Sequence, residues 1–290
     1  MGFRLATNVN WTGNRDAEQV FNFVRAADEG GVHSIWVAEA WGQDAVPMMT
    51  QLVERTKNIQ IGSGILNTFS RTPGLMAQTF GTLDLLSNGR MIIGLGSSGA
   101  NVIEHFHGVP FRMPLQRMHE YVDIINTLMR GEKLVHHGKI FNLDRGFTLR
   151  FDVLRPHIPI FIASLTPKSV VQTAQIADGW LPIWTPLQDV EKEINAFRAA
   201  AAKAGRDPKS LTVRAPGTVH VTSSKNIDRV RQGVAGGFAF YVSRMGTFYY
   251  EHVSRLGYGE EAAAIKSAFD KSGSAAATAE VPAEMQQGLG

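Results

Sequence analysis

The residues best suited to chemistry stand where short apolar runs of the sequence end. Glu39 directly follows the run 34–38, and Trp41 comes two residues later. A carboxylate that leaves a buried strand could act as a general acid or base beside a bound ring, and Trp41 could form a wall of the same pocket. The structural alternative is that Glu39 pairs with an arginine or caps a loop.

Glycine and serine cluster at the ends of two further runs. One run contains Gly62-Ser63-Gly64, and another continues into Gly94-Leu95-Gly96-Ser97-Ser98-Gly99. Glycines at a strand end permit the close approach of a flat ligand, although an ordinary tight turn would use them as well. The second stretch matches G-x-G-x-x-G, but a dinucleotide fingerprint belongs in the first βα turn and opens a helix directly. Here three strand–helix units precede it and Pro110 and Pro114 follow, so a ligand-facing loop is the better interpretation.

A fourth run leads into Ala163-Ser164-Leu165-Thr166-Pro167-Lys168 and a predicted helix. The first N–H groups of a helix have no intrahelical partners, so this segment could bind an anion, with further positive charge from Lys168. The alternative is that Thr166 is a plain N-cap.

Composition argues against several other classes of protein. The 290 residues include no cysteine, and the pair His105 and His107 has no evident third ligand, so no metal site is predicted. The 29 Lys and Arg and 26 Asp and Glu are scattered, which argues against nucleic-acid binding. No stretch approaches the roughly 18 apolar residues that a membrane span needs. The N-terminus has no apolar signal core, so we expect a cytoplasmic protein.

Apolar runs alternate with amphipathic segments along most of the chain. Strands are predicted to start near residues 3, 34, 59, 91, 159, 179 and 211. This alternation is typical of parallel strands joined by right-handed crossovers. Seven consecutive units favour a closed α/β fold, the (β/α)8 TIM barrel, over an open doubly wound sheet. Barrel enzymes work at the carboxyl ends of their strands, which is where the residues above lie.

Two regions depart from the alternation within a predicted single domain, 1–290. Residues 100–157 form an insertion after the fourth unit, with a hairpin-like pattern over 133–141. Residues 222–290 contain no convincing eighth strand and are expected to be helical or irregular, with strand seven covering 211–221. The small residues of 272–279 are expected to form a mobile tail. Asp84 and Arg90 bracket a helix-to-strand turn that they are expected to hold together.

Five motifs occur in a specific order and spacing. They are Ser34-Ile-Trp-Val-Ala-Glu-Ala-Trp, Arg71-Thr-Pro, Leu83-Asp-Leu-Leu-Ser-Asn-Gly-Arg, Gly94-Leu-Gly-Ser-Ser-Gly and Ala177-Asp-Gly-Trp. In this order the chain resembles the luciferase-like monooxygenase superfamily, and within it the coenzyme F420-dependent oxidoreductase branch, over roughly residues 3–285. The resemblance implies a barrel of the bacterial luciferase type that binds a planar ring at its strand ends.

The resemblance also implies which residues contact the cofactor. In the family the third strand commonly ends in a non-proline cis peptide behind the ring, which corresponds to Gly64-Ile65 here. Glu39 occupies the acidic position after strand two, and the phosphate-bearing tail is expected at 163–168. The implied cofactor-binding set is Ser63, Gly64, Ile65, Gly96, Ser97, Ser98, Asn101, Ala163, Ser164, Thr166 and Lys168.

The implied activity is hydride transfer between F420 and a small organic substrate. Two departures argue against a sugar-phosphate dehydrogenase mechanism: Ala40 stands where several relatives have histidine, and Ser97-Ser98 where they often have an acid. One alternative is an FMN-dependent monooxygenase, and another is a non-catalytic cofactor-binding relative. Family members often dimerise, so a homodimer is a further expectation.

Overall fold

The computed structural model describes residues 4–9, 16–215, 217 and 219–289. The chain divides into two compact units. The first comprises residues 1–98, 103–163 and 176–179, and the second comprises 99–102, 164–175 and 180–290. The predicted start of strand one at Phe3 lies outside the described residues, as do Pro216 and Thr218 in predicted strand seven.

Strands and helices alternate through the first two thirds of the chain, and helices follow. The strands are β1 (Ala6–Val9), β2 (Ser34–Val37), β3 (Gln60–Ser63), β4 (Leu66–Asn67), β5 (Met91–Gly96), β6 (Leu134–His137), β7 (Asn142–Phe147), β8 (Ile160–Ala163), β9 (Gly179–Leu181) and β10 (Thr212–Val213). The helices are α1 (Ala17–Glu29), α2 (Ala45–Arg55), α3 (Pro73–Leu86), α4 (Ala100–His105), α5 (Pro114–Met129), α6 (Pro167–Ile176), α7 (Val190–Lys203), α8 (Ile227–Arg244), α9 (Thr247–Arg255), α10 (Gly259–Ser272), α11 (Ser274–Ala279) and α12 (Ala283–Leu289).

Parallel strands form the centre of the first unit. β1 pairs with β2, β2 with β3, β3 with β5, and β5 with β8, all in parallel. The short strand β4 also pairs with the carboxyl end of β5, where Asn67 lies opposite Gly96. Parallel strands covered on both faces read as continuous apolar runs, and β2 and β5 are buried at every position. The carboxyl ends of these strands therefore meet along one edge.

Buried polar residues fix the turns that lead into these strands. Asp28 accepts hydrogen bonds from the backbone N–H groups of Lys57, Asn58 and Ile59 at 2.8, 2.9 and 2.7 Å. Asp84 is held at both oxygens by Arg155 and accepts from the N–H of Met91. Arg90 donates to the carbonyls of 53, 56, 59 and 87. Asp84 and Arg90 thus have the structural role expected of them.

The hairpin β6–β7 lies in the region where a hairpin-like pattern is predicted, with antiparallel pairing of His136 and Leu143, but residues 139–141 form its turn and the second strand begins at Asn142. One buried carboxylate attaches this hairpin to α5. Glu120 accepts hydrogen bonds from the N–H groups of Lys139, Ile140 and Phe141 and from the Gln116 amide. Burial alone would raise the pKa of Glu120, but these hydrogen bonds lower it to about 2.

The C-terminal part of the second unit is helical. Trp184 packs on Phe238, Tyr241 and Tyr249 at ring-centroid distances of 4.7, 5.4 and 5.6 Å. Burial raises the pKa of the Tyr241 hydroxyl within this cluster. Helices α8 to α12 account for most of 227–289, and no strand follows β10 in the described part of the chain.

Two expectations for the C-terminal part are wrong. Strand seven is confined to Thr212–Val213, and the apolar residues Val219 and Val221 are 89% and 96% exposed. The small-residue segment is not a mobile tail, because Ser274–Ala279 form α11, in which Ala277 is fully buried. Small side chains let α11 lie close to α8, where Gly236 approaches the Thr278 hydroxyl. Across the described chain, no helix combines the length and apolar character required to cross a bilayer.

Candidate functional site

Glu39 lies just past the end of β2 and is held by Arg71. Nη1 of Arg71 is 2.5 Å from Oε1 of Glu39, and Nη2 is 3.1 Å from Oε2. The N–H of Ala45, the first residue of α2, donates to Oε2 at 3.0 Å. The Glu39 side chain is only 8% exposed. This arrangement matches the structural alternative, in which Glu39 pairs with an arginine and caps a loop.

Arg71 links three segments at this edge of the first unit. Besides Glu39, it pairs with Asp44 at 2.8 Å, and its carbonyl accepts the Tyr121 hydroxyl at 2.9 Å. Burial would lower the pKa of Arg71, but the two carboxylates raise it overall. The guanidinium therefore stays charged and fixes the segments that follow β2 and β4. Trp41, two residues beyond Glu39, is 41% exposed.

The glycines at the strand ends accommodate the protein's own side chains. A Cβ on Gly62 would lie 2.6 Å from the Trp36 ring, and one on Gly96 would lie 2.7 Å from the Ile65 side chain. A Cβ on Gly94 would lie 1.7 Å from the Ser63 carbonyl oxygen. Glycine is thus required at these positions by close packing, which is a simpler cause than the approach of a flat ligand.

Ser63 joins two of the strand ends directly. Its hydroxyl donates to the Gly94 carbonyl at 2.7 Å and accepts from the Gly94 N–H at 2.8 Å, and the residue is fully buried. The bond between Gly64 and Ile65 is a non-proline cis peptide, as expected from the resemblance. The N–H of Gly64 donates to the Val37 carbonyl at 2.7 Å. Residues 63–65 and 94–96 therefore lie together at the strand edge.

The loop after β5 and the helix α4 that follows it carry the next three predicted residues. Ser98 has a left-handed backbone, with φ of 58°, and the Ser97 hydroxyl donates to the Ser98 carbonyl at 3.3 Å. Asn101 belongs to the second unit, where its amide donates to the Arg244 carbonyl at 3.2 Å. The structure thus gives Asn101 a protein partner in its own unit.

The segment after β8 forms a capped helix start. In the second unit, the Thr166 hydroxyl accepts from the Ser169 N–H at 3.2 Å, and the Ser169 hydroxyl accepts from the Thr166 N–H at 3.0 Å. The Ser164 hydroxyl is within 2.9 Å of the Thr173 hydroxyl. The N-cap alternative for Thr166 is therefore present, and Lys168 is exposed beside it. Ala163, the last residue of β8, belongs to the first unit.

Arg117 is a candidate ligand-binding residue that sequence analysis does not single out. It lies in the first turn of α5, 4.5 Å from the centroid of the Phe69 ring and 5.2 Å from that of Phe141. Burial lowers its pKa. Its Nε, together with the hydroxyls of Thr68 and Ser70, is buried with no hydrogen-bond partner among the described residues. The only sequence signal is an arginine at the start of a helix that follows a long loop.

A metal-based site finds no support in the described ranges. They contain no group of three His, Cys, Asp or Glu side chains placed to bind one ion. His105 is the last residue of α4. Nε2 of His107 is buried and has no hydrogen-bond partner among the described residues. Like His107, the residues Arg117, Thr68 and Ser70 of the first unit each have a buried polar atom without a hydrogen-bond partner in the described ranges.

Comparison with known proteins defines the class of this chain. The luciferase-like monooxygenase family matches residues 3–290, and the chain belongs to that family, whose members are enzymes. Among solved structures, the coenzyme F420-dependent tetrahydromethanopterin reductase from Methanopyrus kandleri superposes with a TM-score of 0.82 at 21% identity, covering 99% of this chain and 84% of that one. The predicted α/β fold, a TIM barrel of the luciferase-like type, is thereby confirmed.

Two relatives and one further solved structure show which enzymes this chain is similar to. A protein of Mycobacterium tuberculosis named as a coenzyme F420-dependent oxidoreductase is 30% identical over 274 residues, or 89% of this chain and 78% of the relative. The 5,10-methylenetetrahydromethanopterin reductase of Archaeoglobus fulgidus is 30% identical over 76% of this chain, which spans 65% of that enzyme's length. A monooxygenase from Streptomyces bottropensis also superposes, with a TM-score of 0.69 at 21% identity over 90% of this chain and 82% of that one.

Proposed function

We propose that this protein is an oxidoreductase that binds coenzyme F420 and transfers a hydride between the deazaflavin and a small organic substrate. The observation that carries the proposal is the 30% identity, over 89% of the chain, to an F420-dependent oxidoreductase. When bound, the deazaflavin would supply the ring carbon that accepts or donates the hydride. The residues of this chain would bind and orient the cofactor and exclude water from it.

The first unit fits such a cofactor in one testable respect. F420 is an anion, and the first unit contains a half-buried guanidinium, that of Arg117, which has no ion-pair partner within the described ranges. The Glu120 carboxylate and a 3.4 Å contact from Nη1 to the Thr68 carbonyl offset the burial of this cation only in part, so a bound anion would stabilise it further. The unsatisfied hydroxyls of Thr68 and Ser70 offer two further donors. In our proposal these three residues join the predicted set at Ser63, Gly64, Ile65, Gly96, Ser97 and Ser98.

Glu39 has a different role in this proposal from that of an acid or base. Because Arg71 and the Ala45 N–H occupy its oxygens, Glu39 would position the loop that carries Trp41. Trp41 would then form one wall of the substrate pocket. The predicted contacts in the second unit, at Asn101, Ser164, Thr166 and Lys168, remain separate proposals, and a Lys168→Ala variant tests the contact at Lys168.

The FMN-dependent alternative rests on the neighbouring monooxygenase structure. Titration of the purified protein with F420 and, separately, with FMN distinguishes the two. We expect F420 to bind more tightly, observed as quenching of its fluorescence. Micromolar or tighter binding of FMN without detectable binding of F420 would replace our assignment with the alternative.

Turnover separates an enzyme from a non-catalytic relative. Reduced and oxidised F420 should be supplied with carbonyl, alcohol and enone substrates, and absorbance of the oxidised cofactor followed. Tight F420 binding without turnover of any substrate class would favour the non-catalytic relative. The homodimer and the cytoplasmic location also remain proposals, which sedimentation and cell fractionation would test.

A further inference from the structure

A cavity of about 580 Å3 lies within the second unit, among α8, α9 and α10. Small-molecule sites commonly have volumes of about 300–1,000 Å3. None of the residues proposed above as cofactor contacts lines this cavity. Its walls are formed by Val242, Ser243, Gly246, Thr247, Tyr250, Ala263, Lys266, Ser267, Asp270 and Lys271.

The interior of the cavity is largely apolar. Val242 from α8 is buried, Tyr250 from α9 is half-buried and Ala263 from α10 is exposed, so the apolar lining lies in a cavity that is open to solvent. Tyr249, the neighbour of Tyr250, packs on the Trp184 ring in the aromatic cluster of the same unit. Val242 and Tyr250 also pack in the hydrophobic cluster that contains Trp184, so the cavity borders the aromatic cluster.

One polar group in the wall has no protein partner. The Ser243 hydroxyl is buried and forms no hydrogen bond within the described chain. A serine or threonine inside a helix often donates to the carbonyl four residues earlier, as Ser254 and Thr278 do in this unit at 2.8 Å. Leaving a buried hydroxyl unsatisfied costs about 1–3 kcal/mol. A ligand with a polar group would satisfy it.

The charges around the cavity favour an anion. Lys266 and Asp270 neutralise each other through contacts of 2.6 and 2.7 Å. Lys271, which follows Asp270 directly, forms no ion pair with any described residue. One positive charge at the wall is thus left uncompensated, beside an apolar interior and a free hydroxyl.

We propose that this cavity binds a small organic monoanion with an apolar body, of the chemical class of a medium-chain carboxylate. The apolar body would contact Val242, Tyr250 and Ala263. The carboxylate would accept a hydrogen bond from Ser243 and be attracted by Lys271. This site is distinct from the proposed cofactor site, and its test does not require turnover.

Calorimetric titration of the full-length protein with octanoate and with octan-1-ol tests the proposal. Octanoate should bind saturably, one molecule per chain, and about fivefold more tightly than the uncharged alcohol, as expected for one favourable charge contact. Lys271→Gln should remove most of this difference and leave octan-1-ol binding unchanged. The matched control Lys203→Gln changes an exposed lysine in the last turn of α7, away from the cavity, and should bind octanoate like the parent.

Two further variants test the roles of Ser243 and of the apolar lining of the cavity. Ser243→Ala should weaken octanoate binding by about tenfold, since a hydrogen bond to a charged group is lost. This variant removes an unsatisfied hydroxyl, so it should fold at least as well as the parent. Ala263→Trp should fill the cavity and abolish binding of both compounds.

Three results would overturn the proposal. These are an absence of saturable octanoate binding, equal affinity for octanoate and octan-1-ol, and octanoate binding that survives both Ser243→Ala and Ala263→Trp. If the Ala263→Trp variant fails to fold, as judged by circular dichroism, the Ser243→Ala and Lys271→Gln titrations decide the outcome.

Discussion

Arg71 holds Glu39 at both carboxylate oxygens, at 2.5 Å through Nη1 and 3.1 Å through Nη2. The pair ties the end of β2 to the segment between β4 and α3. A two-point arginine–carboxylate contact fixes direction as well as distance. In our proposal this pair supports the candidate site at the strand edge and does not react.

We therefore expect Glu39→Gln to act mainly on stability. Loss of a buried charge-assisted contact should lower the free energy of unfolding by about 1–3 kcal/mol, while kcat stays within about threefold of the parent. Urea unfolding and steady-state turnover measure the two quantities, with exposed Glu54→Gln as the control. Unchanged stability with kcat lowered by about 100-fold or more would restore the acid–base role.

The second prediction concerns pH. Hydrogen bonds from the hairpin lower the pKa of Glu120 to about 2 from 4.5. The carboxylate therefore contributes stability that is fully present above about pH 4.5 and is lost as the pH falls toward 2. Glu120→Gln should be less stable than the parent at pH 7, and the difference should shrink as the pH is lowered.

Urea unfolding of the parent and Glu120→Gln at several pH values between about 7 and 3 measures this effect. Asp144→Asn, a change at an exposed carboxylate on β7, is the matched control and should show no such trend. A stability difference between the parent and Glu120→Gln that does not vary with pH would contradict the assignment.

The third prediction concerns the packed glycines. Gly94→Ala should destabilise the protein by about 1–3 kcal/mol or more, because its Cβ would lie 1.7 Å from the Ser63 carbonyl oxygen. Gly74→Ala, in the first turn of α3 with open space around it, should be neutral or stabilising by up to about 1 kcal/mol. Thermal unfolding compares the two. Equal stability of both variants would mean that the strand edge is loosely packed.

The fourth prediction concerns the cofactor tail. If an anionic tail lies over Ser164–Lys168, Lys168→Ala should weaken F420 binding and make it less dependent on salt. Exposed Lys192→Ala in α7 is the control. Affinity and salt dependence that both match the parent would mean that Thr166 only caps α6.

The strands that sequence patterns locate correctly are the fully buried ones. β2 and β5 are buried at every position and lie within apolar runs, so their positions can be predicted without knowledge of their neighbours. The predicted strand seven is too long because Val219 and Val221 are apolar yet exposed, and no local pattern distinguishes that case. The alanines of α11 favour a helix by their propensity, but six residues are too few for a stable isolated helix, so α11 depends on close packing against α8, which is a tertiary effect.

The candidate site is harder to predict than the fold. Glu39 and the glycines are correctly placed at strand ends, but their contacts depend on residues distant in sequence, since Arg71 is 32 positions from Glu39. The same holds for Gly62, which packs on Trp36 of the preceding strand. Arg117 escapes sequence analysis because its significance comes from two rings, Phe69 and Phe141, brought together only by folding.

Glu120 accepts hydrogen bonds from three consecutive backbone N–H groups of the hairpin turn, so this part of the attachment to α5 does not depend on the side chains of residues 139–141. Backbone amides at 139–141 would be supplied by any residues except proline. Residues 139–141 can therefore change their side chains while keeping this attachment, whereas Gly138 cannot, because a Cβ there would lie 2.1 Å from Oε2 of Glu120. For the protein engineer, Glu120 is the position to leave untouched when the residues around it are redesigned.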